Sequence, residues 1–195
     1  MSWSRCAHGV SWLNDNNVDA TLFVADLFEI PLEDNSVDVV YTSHSLEPNG
    51  GREEAAIKEL MRIARKAVVL IEPIYELADE QGKKRMKDHG YVRGLKDTAE
   101  KLGAKVVDHR LLDYTGNPLN PSGVVLIEKN IADELASSGL RWRCPLTHTQ
   151  LLADNAGYYS PETGVVFPVI GGIPLLQASN AIVASAFEQF ANRNL

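Results

Sequence analysis

ADLFEIPLEDNSVDVVYTSHSLEP, residues Ala25 to Pro48, is the stretch from which the fold is read. Asp26 closes a compact apolar run, Ala20 to Ala25, that has strand length. A polar loop, Glu33 to Ser36, carries the turn-forming residues, and a second apolar run, Val37 to Thr42, follows at once. Two buried parallel strands are expected, with the polar residues after each placed at a strand tip.

Working backward, Trp3, Ala7, Val10 and Leu13 recur at helical spacing and predict a short amphipathic helix over Ser2 to Asn16. Working forward, Asn49-Gly50-Gly51 breaks the chain before Arg52 to Lys66. There Ile57, Leu60, Met61 and Ala64 share one face and Glu54 and Lys58 are spaced four apart on another. Ala67 to Ile71 is apolar without alternation, the pattern of a strand covered on both faces, and Glu72-Pro73 ends it. Val92, Leu95, Ala99 and Leu102 form a second helical stripe, with Gly103 at the place of a left-handed C-terminal cap. Lys105 to Leu112 and Val124 to Glu128 then read as an antiparallel pair across the turn-rich YTGNPLNPSG. The alternation is that of an α/β sheet, with ligands expected at the carboxyl ends of its strands.

From about Ile131 the character changes. A helix-like IADELASSG precedes Cys144-Pro145, several turn signals, the apolar VVFPVIGGIPLL and a closing helix predicted over Ala181 to Asn192. The expected division is therefore residues 1–130 and residues 131–195, the second part being small and β-rich.

Composition narrows the function classes. The chain has 195 residues, 45% hydrophobic and 23% charged, with a formal net charge of -7 from 19 basic and 26 acidic side chains. That balance argues against a phosphate-neutralising surface, so no nucleic acid partner is expected, although Lys83, Lys84, Arg85 and Lys87 cluster locally. No apolar run approaches the roughly 20 residues of a membrane span, and the N-terminus lacks the pattern of a signal peptide. No membrane association and a cytoplasmic location are expected. Cys6 and Cys144 are too few for a structural zinc site and are read as reduced thiols. No G-x-G-x-x-G precedes a helix, which argues against a dinucleotide oxidoreductase.

In order and spacing, these segments resemble the class I S-adenosylmethionine-dependent methyltransferases. The likeness runs from about Ser2 to Lys129 and is strongest from Ala25 to Glu59. It implies a partial Rossmann-like methyltransferase sheet ending in an antiparallel hairpin, with S-adenosylmethionine as cofactor. Asp26 then stands where the family accepts a hydrogen bond from the adenine amino group, Leu27 where a backbone N–H meets the ring, and Leu27 or Phe28 where the ring is covered. The other reading of Asp26 is a loop cap. Asp38 opens the next strand in a structural role. Ser43 falls at the sulfonium end and His44 is the candidate general base. Glu47 lies where relatives carry an acidic residue followed by His, a histidine replaced here by Pro48. Glu59, Leu60 and Arg62 resemble a helix that supports the sheet.

The residues before Ala25 contain a single glycine, Gly9, so the family's glycine-rich turn and ribose-binding acid have no counterpart. Losing two charge-assisted ribose bonds would cost about 3–6 kcal/mol, or roughly two to four decades of affinity. Weak or absent cofactor binding is therefore expected of this chain. In the family's strand order, two absent strands would also leave roughly 14 Å between the first two predicted strands. The Ala20–Ala25 strand is expected either to pair directly with Val37–Thr42 or to be completed by another polypeptide, a protein partner or a homo-oligomer; a truncated fragment is the third option.

Cys144 to Leu176 resembles the small Trm112-like domain, whose paired Cys turns can bind zinc. Here the four ligand positions read Cys144, Thr147, Ser160 and Thr163, with His148 nearby, so no metal is expected. Two functions stay open: a methyltransferase acting on a small-molecule substrate or sugar-related metabolite, with His44 and Glu47 catalytic, and a non-catalytic interaction or regulatory module that retains the fold.

Overall fold

The computed structural model describes residues 2–129, 140–154 and 157–184. It divides by contact into two units, one of Met1–Glu33 with Leu140–Leu195 and one of Asp34–Gly139. This division differs from the expected 1–130 and 131–195, because the N-terminal segment clusters with the C-terminal one. The helix expected at IADELASSG lies outside the described residues, as does most of the one expected over Ala181 to Asn192.

The unit Asp34–Gly139 is built on a sheet of strands β1 (Val37–Ser43), β2 (Ala64–Pro73), β3 (Lys105–Leu111) and β4 (Ser122–Glu128). Their order is β1-β2-β4-β3. β1 runs parallel to β2, while β4 is antiparallel to both β2 and β3, so the predicted terminal antiparallel pair is present. Helices α2 (Glu53–Ile63), α3 (Glu80–Asp88) and α4 (Leu95–Lys101) complete the unit. Val68, Leu70, Val125 and Ile127 are fully buried, as are Ile57, Leu60, Leu95 and Ala99 of α2 and α4, which pack on the sheet. The alternate residues Val69, Ile71, Val124 and Leu126 are only half-buried. The sheet thus alternates where unbroken burial was expected. β1 departs most, with Val39 52% and Tyr41 72% exposed, because it is an edge strand with β2 as its neighbour.

α2 stops three residues before its predicted end, since Ala64 is already extended (φ -73°, ψ 143°). The stop has a chemical cause. Lys129, just beyond β4, donates from Nζ to the carbonyls of Met61 (2.6 Å) and Ala64 (2.9 Å) and to Asn35 Oδ1 (2.6 Å). A cation at a helix C-terminus satisfies carbonyls that have no intrahelical partner. Burial of this ammonium holds its pKa below the ordinary lysine value. α3, which sequence periodicity does not signal, is started by Asp79, whose carboxylate accepts from Gly82 N at 2.7 Å in the manner of an N-cap.

In the other unit, α1 (Trp3–Asp15) forms where expected, anchored by Cys6, which is buried with Val24 and Ile173 against Ala7, Val10 and Leu175. The remaining strands are β5 (Leu152–Ala153), β6 (Gly157–Ser160), β7 (Val165–Ile170), β8 (Ile173–Pro174) and β9 (Ile182–Val183). Gly171 and Gly172, at φ 59° and 76°, make the two-residue turn between β7 and β8 that requires positive φ at both positions. Phe167 is fully buried among Cys144, Leu151, Val165 and Leu176. Phe23, Trp142 and Tyr158 pack against this cluster, and Trp142 meets Phe23 and Tyr158 edge to face, with centroids 5.1 Å apart in each pair.

Among the described residues the Ala20–Ala25 run is not a strand of the β1–β4 sheet, which corrects the expected direct pairing with Val37–Thr42. Val24 instead bridges Leu175 in parallel, its N–H donating to Pro174 O and its carbonyl accepting from Leu176 N, each at 2.8 Å. Leu32 likewise bridges Trp142. An apolar run of strand length specifies extended backbone but leaves the choice of partner to long-range packing.

Replacing Lys129 with Met should lower the stability of the Asp34–Gly139 unit by about 1–3 kcal/mol, because two carbonyls and an amide oxygen lose a charged donor. Urea denaturation of the full chain, followed by hydrogen exchange at the end of α2, reads the loss.

Candidate functional site

β1 ends at Ser43, and the chain then turns sharply at His44, a non-glycine residue at φ 48°. Left-handed backbone at such a residue costs on the order of 1–3 kcal/mol and persists only where its surroundings impose it. Three sets of bonds do so. His44 N–H donates to Ile71 O at 3.0 Å. The next three amides all point at one carboxylate, Ser45 N and Leu46 N to Glu72 Oε1 (3.1 and 3.2 Å) and Glu47 N to Glu72 Oε2 (3.2 Å). On the far side, Val92 N donates to Glu47 O and Gly50 N to Gly90 O, each at 3.0 Å. A Cβ on Gly50 would run into Gly90 O and Tyr91 O, so only glycine lets the two backbones meet there.

Glu72 is fully buried. Its burial pushes the carboxyl above the usual range, against the pull of the three amides. The three amides nevertheless hold the loop, since hydrogen bonds contribute about 0.5–1.5 kcal/mol each, together comparable with the strain at His44.

The loop presents the imidazole between two partners. Nδ1 lies 2.9 Å from Glu47 Oε2, and Nε2 lies 2.8 Å from Ser122 Oγ. An ionised carboxylate only accepts, so in the neutral ring Nδ1 carries the proton and Nε2 offers its lone pair. The His44 side chain is 40% exposed and that of Glu47 22%. The imidazole is reachable from solvent at the carboxyl end of a parallel strand, an arrangement in which a histidine can serve as a base with a carboxylate orienting it. Ser122 and Glu72 were not foreseen as part of it. Ser122 is separated from His44 by 78 positions and only the β2–β4 pairing brings it there; Glu72 read simply as a strand stop.

Ser43 is exposed at the end of β1. Asp38, at the start of the strand, is ion-paired with Arg65 and Lys66, and the Arg65 guanidinium holds its carboxyl below the usual range. Glu59 and Arg62 pair at 2.7 Å and Arg62 also reaches Asp34 at 2.8 Å, a structural use. A shallow groove of about 420 Å³ includes Glu53, Glu76 and Arg93, but both carboxylates are already engaged by the amides of Gly51, Arg93 and Gly94.

Asp26, Leu27 and Phe28 belong to the other unit. Asp26 Oδ1 accepts from Phe28 N at 3.0 Å, a self-capped turn. The carboxylate also borders a hollow of about 240 Å³ lined by Glu29, Pro145, Gln177, Ala178 and Ser179. Oδ2 takes no hydrogen bond among the described residues, so it can receive an amino group such as adenine's. The hollow is smaller than the roughly 300–1,000 Å³ of a site for a drug-sized ligand. The residues present therefore fit the purine end of the cofactor and no more.

Of the residues that the small-domain resemblance would align with zinc ligands, Cys144 and Ser160 are fully buried, with the Ser160 hydroxyl unpartnered among the described residues. Thr147 Oγ1 lies 2.8 Å from Thr149 Oγ1, Thr163 is exposed, and His148 Nε2 faces Glu29 Oε2 at 3.2 Å. Cys144 serves as a core residue here. Among the described residues, no helix is long and apolar enough to cross a membrane.

Because the folded-state pKa of Glu72 is raised, its contribution to stability is present below the unfolded value near 4.5 and is lost as pH rises through the folded value. Glu72→Gln should abolish that slope, so the wild type loses stability relative to the variant across this window and the difference is then constant. At neutral pH the variant should exchange the Glu47 amide faster, since a carboxamide cannot accept on both sides. Chemical denaturation at stepped pH and amide exchange measure the two effects.

None of the curated proteins compared matches the chain. A crystal structure of an S-adenosylmethionine-dependent methyltransferase from Methanosarcina mazei is similar at 12% identity and a TM-score of 0.42, over 55% of this chain and 66% of that one, just under two thirds of its length. The family model for a methyltransferase domain matches residues 6–71, a span that holds Asp26, Leu27, Phe28, Ser43, His44 and Glu47 and stops one residue short of Glu72. Over residues 6–71 the chain is similar to a methyltransferase domain.

Proposed function

We propose that the protein is an S-adenosylmethionine-dependent methyltransferase-family protein that methylates a hydroxyl of a small molecule or sugar-related metabolite. What supports the reading above all is the His44–Glu47 pair at the carboxyl end of β1, inside the segment that matches the methyltransferase domain. When bound, the cofactor supplies an electrophilic methyl group. Glu47 holds the imidazole with Nδ1 protonated, so Nε2 can take the proton of an acceptor hydroxyl as that oxygen becomes nucleophilic. The Ser122 hydroxyl, 2.8 Å from Nε2, marks the distance at which the acceptor must sit. Asp26 and Leu27 are assigned to the adenine and Phe28 to its ring face.

A second reading is favoured by the edge of the sheet. Among the described residues β1 pairs with β2 alone, and Val39 and Tyr41 are exposed on it. An open, apolar edge strand is a template for another chain. In this reading the protein is a non-catalytic interaction module whose sheet is completed by a protein partner or a second copy.

Titration calorimetry of the full chain with S-adenosylmethionine separates the two. Binding is expected, weakened roughly tenfold or more by Asp26→Asn, which keeps the Oδ1 acceptor but loses the charge and the second one. No heat of binding at millimolar cofactor would overturn the methyltransferase reading for this chain. With radiolabelled cofactor and a panel of hydroxylated metabolites, His44→Ala should lower methyl transfer by about 10²–10⁴-fold and leave cofactor affinity unchanged.

A further inference from the structure

Ser122, His44 and Glu47 together make more than a base and its support. The hydroxyl at one end, the imidazole in the middle and the carboxylate at the other are joined by contacts of 2.8 and 2.9 Å. This is the constellation that activates a serine nucleophile on unrelated folds, recognised by geometry and roles rather than by chain order. With Nδ1–H directed at Glu47, Nε2 is an acceptor, and Ser122 Oγ–H is the donor that meets it.

Each member is held from behind. Ser122 opens β4 opposite Pro73, and its carbonyl accepts from Leu112 N at 2.9 Å. The next residue, Gly123, lies so close to its neighbours that an added Cβ would come within 2.5 Å of Arg110 O and Ile74 Cγ1, so the backbone that carries the hydroxyl is tightly packed. His44 is kept in its left-handed conformation by the bonds to Ile71 and by the Glu72 clamp. Ser122 is half-buried and the imidazole 40% exposed, so a small electrophile can reach the pair from solvent.

The same bonds limit the chemistry. The amides of His44, Ser45, Leu46 and Glu47 are all committed, to Ile71 O and to Glu72, so this loop has no N–H to offer a tetrahedral oxyanion. Removing one such donor from an enzyme typically costs 10²–10³ in rate. General-base assistance is what remains, and it suffices where the leaving group needs no help.

We propose that Ser122 is a nucleophile that accepts a short acyl group from a small activated carboxylic ester, with His44 as its general base and Glu47 orienting the base. Ser122 Oγ bonds to the acyl carbon while its proton passes to His44 Nε2. The bond from the acyl carbon to the leaving aryloxide breaks, the activated aryloxide departs as the anion, and Nε2 passes its proton to water. Water, deprotonated by the same nitrogen, then attacks the ester on Ser122, releases the carboxylic acid and restores the hydroxyl. The reaction uses no cofactor, and unactivated amides lie outside its range.

The test uses the full chain and p-nitrophenyl acetate, with no S-adenosylmethionine present. The expected result is an early burst of p-nitrophenolate approaching one equivalent, with an acetyl group mapped by mass spectrometry to the peptide that contains Ser122. Ser122→Ala should remove burst and adduct, and His44→Ala should slow acylation by about 10²–10⁴-fold. Glu47→Gln should slow it less, since it keeps an acceptor for Nδ1–H. Circular dichroism confirms that each variant is folded, and should Ser122→Ala fail to fold, the site of acetylation on the wild type decides alone. Acetylation of lysines only, or a rate unchanged in His44→Ala, overturns the proposal. Because the cofactor is absent, that failure is distinct from a failure to bind S-adenosylmethionine.

Discussion

A single carboxylate beneath the loop after β1 is the constraint on which the candidate site depends. Glu72 takes the amides of Ser45, Leu46 and Glu47 in succession, turning three backbone donors toward the interior. The chain can satisfy them only by bending sharply at His44, the residue forced to positive φ. The cost of burying the charge is visible in its raised pKa, and the return is a rigid presentation of an imidazole. A carboxylate is suited to this because it accepts on two oxygens at once; no neutral side chain of similar size offers the same to three N–H groups.

Around this clamp the sheet supplies position rather than chemistry. β2 contributes Glu72 near its end, β1 delivers the loop, and β4, inserted antiparallel between β2 and β3, brings Ser122 beside His44. Lys129, one residue past β4, ties that strand to the end of α2 and to Asn35. The strand that carries Ser122 is thus fixed at one end by an ammonium among carbonyls and at the other by the tight packing of Gly123.

The other unit shows how a small β-rich scaffold holds together on apolar packing. Cys144 is a buried neighbour of Phe167, Leu151 and Leu176, and the positions that would complete a thiolate set carry hydroxyls. The N-terminal segment adds to this unit through α1, Val24 and Leu32. That arrangement gives the Ala20–Ala25 run its neighbour and puts Asp26 beside a small hollow bounded by the C-terminal segment.

Much of the local structure was legible in the residues. The helical stripes at Trp3 to Leu13 and Ile57 to Leu60, the cap at Gly103, and the apolar runs that became β1, β2 and β4 each follow from a periodicity or a turn residue acting over a few positions. The role of His44 could be suspected from its place after a strand. α3 was hidden because only Gly82 and Met86 of it are buried, which leaves no stripe to read. What the tertiary structure alone decided was partnership: that Val24 meets Leu175 rather than β1, that among the described residues β1 has β2 as its neighbour in the sheet, and that Ser122 and Glu72 converge on a loop from distant positions. Periodicity encodes the conformation of a segment because each residue feels its near neighbours. Pairing across long separations is chosen by the burial and hydrogen bonding of the whole, and no short stretch of sequence carries that information.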